Sequence, residues 1–251
     1  MTSPIRLFVK EDLQIGKQFE LRNEHLHYLK NVMRLSVGAK LLFFNGQDGE
    51  FLGEIKFNKK NSMSICIKNL VRTQKADPDI WLLFSPIKRS GANFIAEKST
   101  ELGVNRLLPV LMEHTNTSRV NINRLSSITI EAAEQCQRLT VPDICEPKTL
   151  HEVLDNWDSS RRLLVMDETS AITGVIGGGA VNLSKLNIRE KETPCDAILI
   201  GPEGGFSLSE LDRLGRLDFV EKITLGPRIL RAETAATVAL GLWNELIETR
   251  N

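Results

Sequence analysis

The chain contains two copies of one local pattern, a short apolar run that ends in a Gly-Pro turn and is followed by a helix-forming segment. The first copy covers residues 197–207 and the second covers residues 222–235. Apolar runs of this kind are typical of parallel strands that are buried on both faces. In open α/β sheets, ligands bind outside the carboxyl ends of strands, where glycine lets the backbone approach closely. We therefore expect the two turns to share one pocket.

The chain between residue 79 and these turns alternates between apolar runs and amphipathic segments, which predicts a parallel α/β sheet. We expect strands at residues 80–84, 106–111 and 161–166, and helices at residues 91–102 and 123–137. The inward face of the second helix is predicted to carry Leu125, Ile128, Ala132 and Cys136. Residues 169–195 are predicted to form a long irregular insertion.

Two helices are predicted to follow the Gly-Pro turns. Ser207 and Glu210 have the spacing of a capping box, in which each side chain bonds the other residue's backbone N–H. The first helix should therefore begin directly after the glycine-rich turn. The last helix, at residues 234–248, has an apolar stripe typical of the protein core or, less commonly, of a subunit contact. This predicted stripe consists of Ala235, Val238, Ala239, Leu242, Trp243 and Leu246.

The N-terminal part has a different pattern, which predicts a small β-barrel with one helix. Strands are expected at residues 5–9, 39–44, 50–56 and 64–71, and the Asn-Gly and Asp-Gly pairs at residues 45–49 mark a turn. The helix is expected to begin near Asn23 and to bury Leu26, Leu29, Val32 and Met33 on one face. Residues 73–79 are polar and contain a proline, as expected of a linker.

Charge is distributed unevenly along the chain, although the formal net charge is zero. Residues 1–75 contain 13 Lys and Arg but 7 Asp and Glu, a net charge of +6, so the remainder carries −6. This asymmetry is typical of a polyanion-binding N-terminal module, and an ordinary solvated surface is the alternative.

The same composition disfavours several classes of protein. No apolar run approaches the roughly 20 residues that span a bilayer, and no signal peptide is apparent, so we expect a cytoplasmic protein without a membrane partner. The four cysteines are scattered and share no metal-ligand spacing with the four histidines. We expect reduced thiols and no metal.

The first Gly-Pro turn does not have the chemistry of a phosphate site. Residues 201–207 contain no lysine, and Glu203 would repel a phosphate. Such a loop suits a ligand that backbone groups recognise, such as an adenine or the ribose of adenosine; a tight turn without a ligand is the alternative. In the second turn, Arg228 and Arg231 lie beside Glu233 and either stabilise negative charge on a ligand or brace the turn as an ion pair.

Four motifs occur in an order that resembles one known family. They are residues 97–104 (EKSTELGV), 131–138 (EAAEQCQR), 201–207 (GPEGGFS) and 225–235 (LGPRILRAETA). They are similar to the signature motifs of the RsmE-type family, which methylates a uridine of 16S ribosomal RNA at ring nitrogen three. The family uses S-adenosylmethionine and belongs to the SPOUT superfamily of trefoil-knotted methyltransferases.

The resemblance implies a two-domain α/β architecture. Residues 1–72 would form a PUA-like RNA-binding β-barrel, and residues 79–251 a SPOUT methyltransferase domain with a trefoil knot and a mostly parallel sheet. The second domain would bind the cofactor, carry out catalysis and form a homodimer, and the macromolecular substrate would be small-subunit ribosomal RNA.

The resemblance also implies residue roles. The S-adenosylmethionine pocket would be lined by Met166, Ile200, Gly201, Gly205, Leu225, Gly226, Ile229 and Leu230, with Glu168 near its third side. The ribosomal RNA would be held by Lys56, Lys59, Lys60, Lys88, Arg89 and Arg138.

Methylation of an imide nitrogen requires loss of its proton and stabilisation of the negative charge that results. Arg231, with Arg228 as second choice, is the predicted group for that charge, and Glu233 or Glu131 is either a general base or a residue that orients an arginine. Two alternatives remain open at this point. One is a non-catalytic RNA-binding ribosome-assembly factor, and the other is a methyltransferase of another RNA.

Overall fold

A computed structural model describes residues 4–21, 23–58, 62–117, 119–168, 181–183 and 195–248. The chain forms two compact units. The first contains residues 1–76 and also residues 133–141, and the second contains residues 77–132 and 142–251. The N-terminal unit is therefore discontinuous in sequence, a feature that the prediction of an uninterrupted N-terminal module did not include.

The N-terminal unit is built on a five-stranded curled sheet, a half-barrel. Its strands are β1 (Arg6–Phe8), β2 (Gln18–Leu21), β3 (Lys40–Phe44), β4 (Glu50–Asn58) and β5 (Met63–Arg72), in the order β1-β3-β4-β5-β2. The β1–β3 pair is parallel and the other pairs are antiparallel. Four strands were predicted, and β2 was missed because only two of its four residues are apolar.

The predicted turn between β3 and β4 is present. Asn45 Oδ1 accepts hydrogen bonds from the backbone N–H of Gln47 and of Asp48, and Gly46 and Gly49 have φ values of 84° and 101°. This is the local side-chain bonding that makes asparagine favourable in turns.

The first helix was predicted correctly only in its first part. Helix α1 (Asn23–His27) continues into a single π-helical segment, Tyr28–Val32, in which the N–H of Met33 bonds the carbonyl of Tyr28 five residues earlier. Leu29 is fully buried, whereas Val32 is 59% exposed and Met33 39% exposed. Their predicted burial was wrong because a π turn contains more residues than an α turn and shifts later side chains around the axis.

A buried arginine joins residues 133–141 to the half-barrel. Arg6 Nε donates to Glu50 Oε1 at 2.6 Å, and Arg72 Nε donates to the other oxygen of Glu50 at 2.8 Å. Burial raises the pKa of the Glu50 carboxyl, but Arg72 and Arg6 outweigh burial and hold this pKa below its ordinary value. The remaining Arg6 nitrogens donate to the carbonyls of Ala133, Glu134 and Arg138 at 2.7–2.9 Å.

The second unit contains an eight-stranded sheet in which every strand pair among the described residues is parallel. The strands follow the order β11-β13-β10-β12-β6-β7-β8, and β9 pairs with β7. They are β6 (Asp79–Phe84), β7 (Arg106–Leu111), β8 (Asp143–Ile144), β9 (Lys148–Thr149), β10 (Arg162–Met166), β11 (Val181–Asn182), β12 (Cys195–Ile200) and β13 (Val220–Thr224). The predicted parallel α/β sheet is confirmed.

Five helices of the described residues accompany this sheet, and none of them is long and apolar enough to cross a membrane. They are α2 (Arg89–Glu101), α3 (Ile122–Gln135), α4 (Leu150–Asp155), α5 (Leu208–Gly215) and α6 (Ala232–Glu248). Gly103, which follows α2, has a φ of 85°, as expected of a helix-stopping glycine.

Three sequence predictions for this part need correction. Cys136 is exposed, because α3 ends at Gln135 and the chain leaves the helical path at Gln137 with a φ of 63°. Leu242 is 36% exposed, because the buried stripe of α6 keeps Ala239 and Trp243 but is flanked by Ala236, Leu240 and Ile247 on the side away from Leu242. The predicted irregular insertion contains a strand, β11, that extends the sheet beside β13, followed by the buried Leu183; residues 169–180 and 184–194 lie outside the described residues.

Candidate active site at the carboxyl edge of the sheet

Three neighbouring strands end side by side and frame a cavity of about 210 Å³. Met166, at the end of β10, lies opposite Ile200 of β12 on one side and Ile223 of β13 on the other. The segments that follow β12 and β13 are the two Gly-Pro turns. The sheet order therefore brings together two turns that lie more than 20 residues apart in the sequence.

The structure places all eight residues predicted to bind the cofactor on the wall of this cavity. They are Met166, Ile200, Gly201, Gly205, Leu225, Gly226, Ile229 and Leu230. Arg228 and Arg231 line it as well, together with Glu168, Glu203 and Phe206. The walls are thus mainly aliphatic side chains and loop backbone, with charged groups of both signs.

Close packing in the first turn explains its glycines. A Cβ on Gly201 would lie 2.9 Å from the ring of Phe206. Gly205 has a φ of 72°, a conformation that side chains rarely adopt, and a Cβ there would lie 3.0 Å from the carboxylate of Glu168. The turn is therefore held in a shape that only glycine permits.

Helix α5 and the loop after β7 hold this turn in place. The predicted capping box is confirmed, since Ser207 Oγ accepts from the N–H of Glu210 and Glu210 Oε2 accepts from the N–H of Ser207. The other oxygen of Glu210 accepts from the N–H of Glu113 at 2.9 Å. One buried carboxylate thus links the glycine turn to the β7 loop.

His114 is a site residue that sequence reasoning missed. Its Nδ1 lies 3.0 Å from the carbonyl oxygen of Gly205, and its Cβ is the nearest atom to a Cβ placed on Gly204. No motif identified it, but its position directly after the carboxyl end of β7 is a signal that topology supplies.

The two cavity arginines have no ion-pair partner among the described residues. Arg228 and Arg231 are exposed at the cavity rim, and Glu233, the predicted partner, does not pair with either of them there. The alternative in which the arginines and Glu233 brace the turn as an ion pair is not observed. The Glu233 carboxylate faces the first turn of α2, since a Cβ on Gly91 would lie 3.8 Å from Glu233 Oε2. Glu131 is exposed on α3 and does not line the cavity.

Glu168 is the acidic group most affected by the cavity. Burial, and secondarily the negative charge of Asp167, raises the pKa of the Glu168 carboxyl above its ordinary value. A carboxylate that is costly to ionise gains from a positively charged ligand, because the ligand removes this cost.

The residues predicted to bind RNA are found in different environments. Lys88 and Arg89 are exposed at the start of α2, whereas Arg138 is only 9% exposed and its Nε donates to Thr140. Lys56 is paired with Glu54 at 2.9 Å, which raises the pKa of this lysine. Lys59 and Lys60 lie outside the described residues. An RNA contact by Arg138 stays a prediction that its burial disfavours.

Comparison with known proteins assigns the family. A family model of an RNA methyltransferase domain matches residues 74–244, and a model of an RNA methyltransferase PUA domain matches residues 21–65. Ribosomal RNA small subunit methyltransferase E of Rickettsia conorii is 33% identical over 94% of this chain and 93% of its own length. This chain belongs to the RsmE-type family.

A further relative and two solved structures agree over nearly the full length. The Bacillus subtilis relative, also a ribosomal RNA small subunit methyltransferase E, is 27% identical over 92% of this chain and 91% of its own. A crystal structure of the Neisseria gonorrhoeae RsmE protein bound to S-adenosylmethionine has a TM-score of 0.84 at 26% identity, covering 97% of this chain and 98% of that one. A Legionella pneumophila structure with the same bound cofactor has a TM-score of 0.85 at 26% identity, with 98% coverage of both chains.

Proposed function

We propose that this chain transfers the methyl group of S-adenosylmethionine to ring nitrogen three of a uridine in small-subunit (16S) ribosomal RNA. The observation that carries the proposal is the cavity between the two Gly-Pro turns, where two arginines without an ion-pair partner among the described residues border aliphatic walls. Membership of the RsmE-type family supports the same substrate and cofactor.

The residues of the cavity fit this cofactor. Aliphatic side chains such as Ile200, Leu225 and Leu230 suit an adenine ring, and the glycine-rich turns let the backbone approach a ribose. The carboxylate of Glu168 suits the positive charge of the cofactor, and an arginine suits the carboxylate of the cofactor. When bound, the cofactor supplies a methyl group activated by a sulfonium sulfur, which becomes a neutral thioether on transfer.

The protein's own contribution to the reaction is electrostatic. As the N3–CH₃ bond forms and the proton leaves N3, negative charge that spreads onto the two neighbouring carbonyl oxygens of the uracil must be stabilised. Arg231, with Arg228 as second choice, is positioned at the cavity rim to do so. We assign Glu233 as the acceptor of the proton, since it lies in the first turn of α6, two positions after Arg231, and forms no ion pair with either cavity arginine among the described residues.

Three further features belong to the proposal through family membership. They are a trefoil knot in the second unit, a homodimer and a cytoplasmic location. The homodimer agrees with apolar side chains that stand exposed on the second unit, among them Leu208 at 87% and Leu242 at 36%. Light scattering on the purified chain tests the dimer.

Arg231→Ala tests the proposed reaction. We expect kcat for methyl transfer to small ribosomal subunits to fall by about 10²–10³-fold, as when a charge-stabilising donor is removed from an active site. Binding of S-adenosylmethionine, measured by isothermal titration, should remain detectable. Incorporation of labelled methyl groups, with mapping of N3-methyluridine in the RNA, is the measurement.

Arg216→Ala is the matched control, because Arg216 is an exposed arginine paired with Asp212 outside the cavity. Its kcat should equal that of the unaltered chain. Unchanged turnover in Arg231→Ala would remove the proposed role of this arginine, and a chain that binds no S-adenosylmethionine would favour the non-catalytic assembly factor.

A further inference from the structure

A second cavity, of about 850 Å³, opens in the same unit where the first turns of α2 and α3 face each other. We call it the α2–α3 cleft and define it by Lys88, Arg89, Asn93, Arg119, Asn121 and Arg124. None of the sequence motifs marked this cleft as a site, and only its first two cations were predicted to contact RNA.

The charge of the cleft is predominantly positive. Among the residues that the structure describes, its lining contains four cations, Lys88, Arg89, Arg119 and Arg124, and one acidic side chain, Glu146. None of the four forms an ion pair within the part of the chain that the structure describes. Cations without partners that line one concave surface attract a polyanion, because the cleft concentrates their field.

Arg124 is held in an orientation that leaves part of its guanidinium available. Its Nε donates to Asn93 Oδ1 at 3.1 Å, and the residue is half-buried. The two terminal nitrogens have no protein partner among the described residues. A guanidinium fixed in this way loses little side-chain entropy when it binds a phosphate through both nitrogens.

The asparagines of the cleft present amide donors. Asn93 Oδ1 is occupied by Arg124, and Asn121 Oδ1 accepts the N–H of Arg124 at 3.0 Å. Each oxygen already accepts one hydrogen bond, and the NH₂ groups are the hydrogen-bond donors of these side chains. They suit acceptors such as the carbonyl oxygens of a pyrimidine.

The floor of the cleft is apolar. Phe84 is 1% exposed, Ile87 6% and Leu125 3%. An apolar floor with amides and cations around it fits one unstacked nucleotide, whose base has an apolar face, polar edges and a charged phosphate.

The cleft adjoins the proposed active site through a single helical turn. Gly91 lies in the first turn of α2, where a Cβ would clash with Ile87 of the cleft floor and lie 3.8 Å from Glu233 Oε2. Glu233 follows the cavity residues Arg231 and Ala232. The first turn of α2 thus contacts the floor of the cleft on one side and the start of α6, which borders the cavity, on the other.

We propose that the α2–α3 cleft binds an unstacked nucleotide that neighbours the target uridine in the RNA strand. The arginines hold its phosphates and the asparagine amides contact its base. This inference rests on the proposed function, since it assigns a second nucleotide site to the same RNA substrate.

The test uses the full chain carrying Arg119→Gln and Arg124→Gln, singly and together, with Arg216→Gln as the control for loss of one exposed arginine. We expect KM for unmethylated small ribosomal subunits to rise about tenfold in the double variant, which corresponds to about 1.4 kcal/mol. The affinity for S-adenosylmethionine should not change. Fluorescence anisotropy with a labelled 12-nucleotide oligouridine should show a salt dependence reduced by about one unit of slope for each arginine.

Each outcome decides the inference. If the unaltered chain methylates the subunits and the double variant keeps its KM and salt slope, the cleft does not bind RNA. If the double variant loses affinity for the subunit but keeps its affinity for oligouridine, the cleft contacts a ribosomal protein and the inference is wrong.

The remaining outcomes separate this inference from the proposed function and from misfolding. If the unaltered chain methylates nothing but its oligouridine binding depends on these arginines, the proposed reaction fails and the RNA site remains. The single variant Arg119→Gln should fold normally, since Arg119 is exposed and, unlike Arg124, makes no hydrogen bond among the described residues. A rise in KM in this variant therefore reports lost RNA binding and not misfolding.

Discussion

Arginines occur in two contrasting settings in the second unit, the middle of the sheet and the rim of the cavity. Arg162, on β10, is 2% exposed, and its Nε and Nη2 each donate to one oxygen of Asp196 on β12 at 2.9 Å. Trp243 of α6 donates to the same carboxylate at 2.8 Å. Arg228 and Arg231 are exposed and have no such partner among the described residues.

The contrast separates an arginine that builds the fold from one that is available to a ligand. Burial by itself lowers the pKa of the Arg162 guanidinium, but the hydrogen bonds and charge of Asp196 raise it above its ordinary value. A buried charge is tolerated only with such a partner, whereas an exposed arginine at a cavity needs none. The number of side chains that pair with an arginine thus indicates whether it stabilises the fold or is available to a ligand.

The largest expected effect comes from removing Asp196, the buried partner of Arg162; Glu221, at 3.3 Å, is a second and more exposed partner. Asp196→Ala leaves the Arg162 guanidinium without its two-point carboxylate and leaves the Trp243 N–H without its acceptor. We expect the free energy of unfolding to fall by about 3–5 kcal/mol. Equilibrium unfolding in urea, followed by tryptophan fluorescence and circular dichroism, measures this loss.

Asp212→Ala is the control for this experiment, because Asp212 pairs with Arg216 on the exposed face of α5. It should change the free energy of unfolding by less than about 0.5 kcal/mol. Arg231→Ala should be equally neutral for stability while lowering kcat by about 10²–10³-fold. If Arg231→Ala destabilised the chain as much as Asp196→Ala, the distinction between the two settings would not hold.

A smaller effect is expected from Trp243→Phe. This change keeps most of the buried aromatic volume and removes one hydrogen bond to a charged acceptor, so we expect a loss of about 1.5–3 kcal/mol. The same urea unfolding experiment measures it. Combining it with Asp196→Ala should give less than the sum of the two losses, because both remove the same bond. Additive losses would mean that Trp243 acts through packing alone.

The smallest expected effect concerns Glu168, one of the acidic residues that line the cavity. Because the pKa of Glu168 is raised, its carboxyl takes up a proton at a higher pH than an ordinary glutamate does. If the ionised form attracts the positive charge of S-adenosylmethionine, affinity should be highest at neutral pH and fall as the pH decreases toward this raised pKa. Isothermal titration between pH 7.5 and about 5 measures the slope.

Glu168→Gln should bind S-adenosylmethionine more weakly at pH 7.5 and lose most of this pH dependence. The thioether product has no sulfonium charge, so its affinity should respond less to the same substitution. Equal responses of cofactor and product would place the Glu168 carboxylate away from the sulfur.

The sequence predicted the parts of this site that depend on neighbouring residues in the chain. The two Gly-Pro turns, the capping box at Ser207 and the helices after them are local patterns, and the structure places the predicted lining residues around one cavity. The strands predicted at residues 80–84, 106–111 and 161–166 agree with β6, β7 and β10 to within one residue, since continuous apolar runs are a strong local signal. The two-residue strands β8, β9 and β11 were not predicted.

Features that depend on distant contacts were beyond sequence reasoning. The contact of His114 with Gly205 joins segments 91 residues apart, and the convergence of Arg119 and Arg124 with Lys88 depends on how two helices start side by side. The exposure of Val32 follows from a single π turn that no residue pattern marked. Arg138 lies in a motif from which an RNA contact was predicted, but the residue is buried in the N-terminal unit, where its backbone carbonyl accepts a hydrogen bond from Arg6.

The three carbonyl groups that Arg6 binds belong to residues more than 120 positions further along the chain. Cutting the gene at the polar linker near residue 76 would therefore not yield a complete N-terminal fragment. In such a fragment the guanidinium of Arg6 would lack its three main-chain hydrogen-bond acceptors. A fusion of this half-barrel to another protein would therefore have to include residues 133–141, for example by circular permutation or by expression from a split gene.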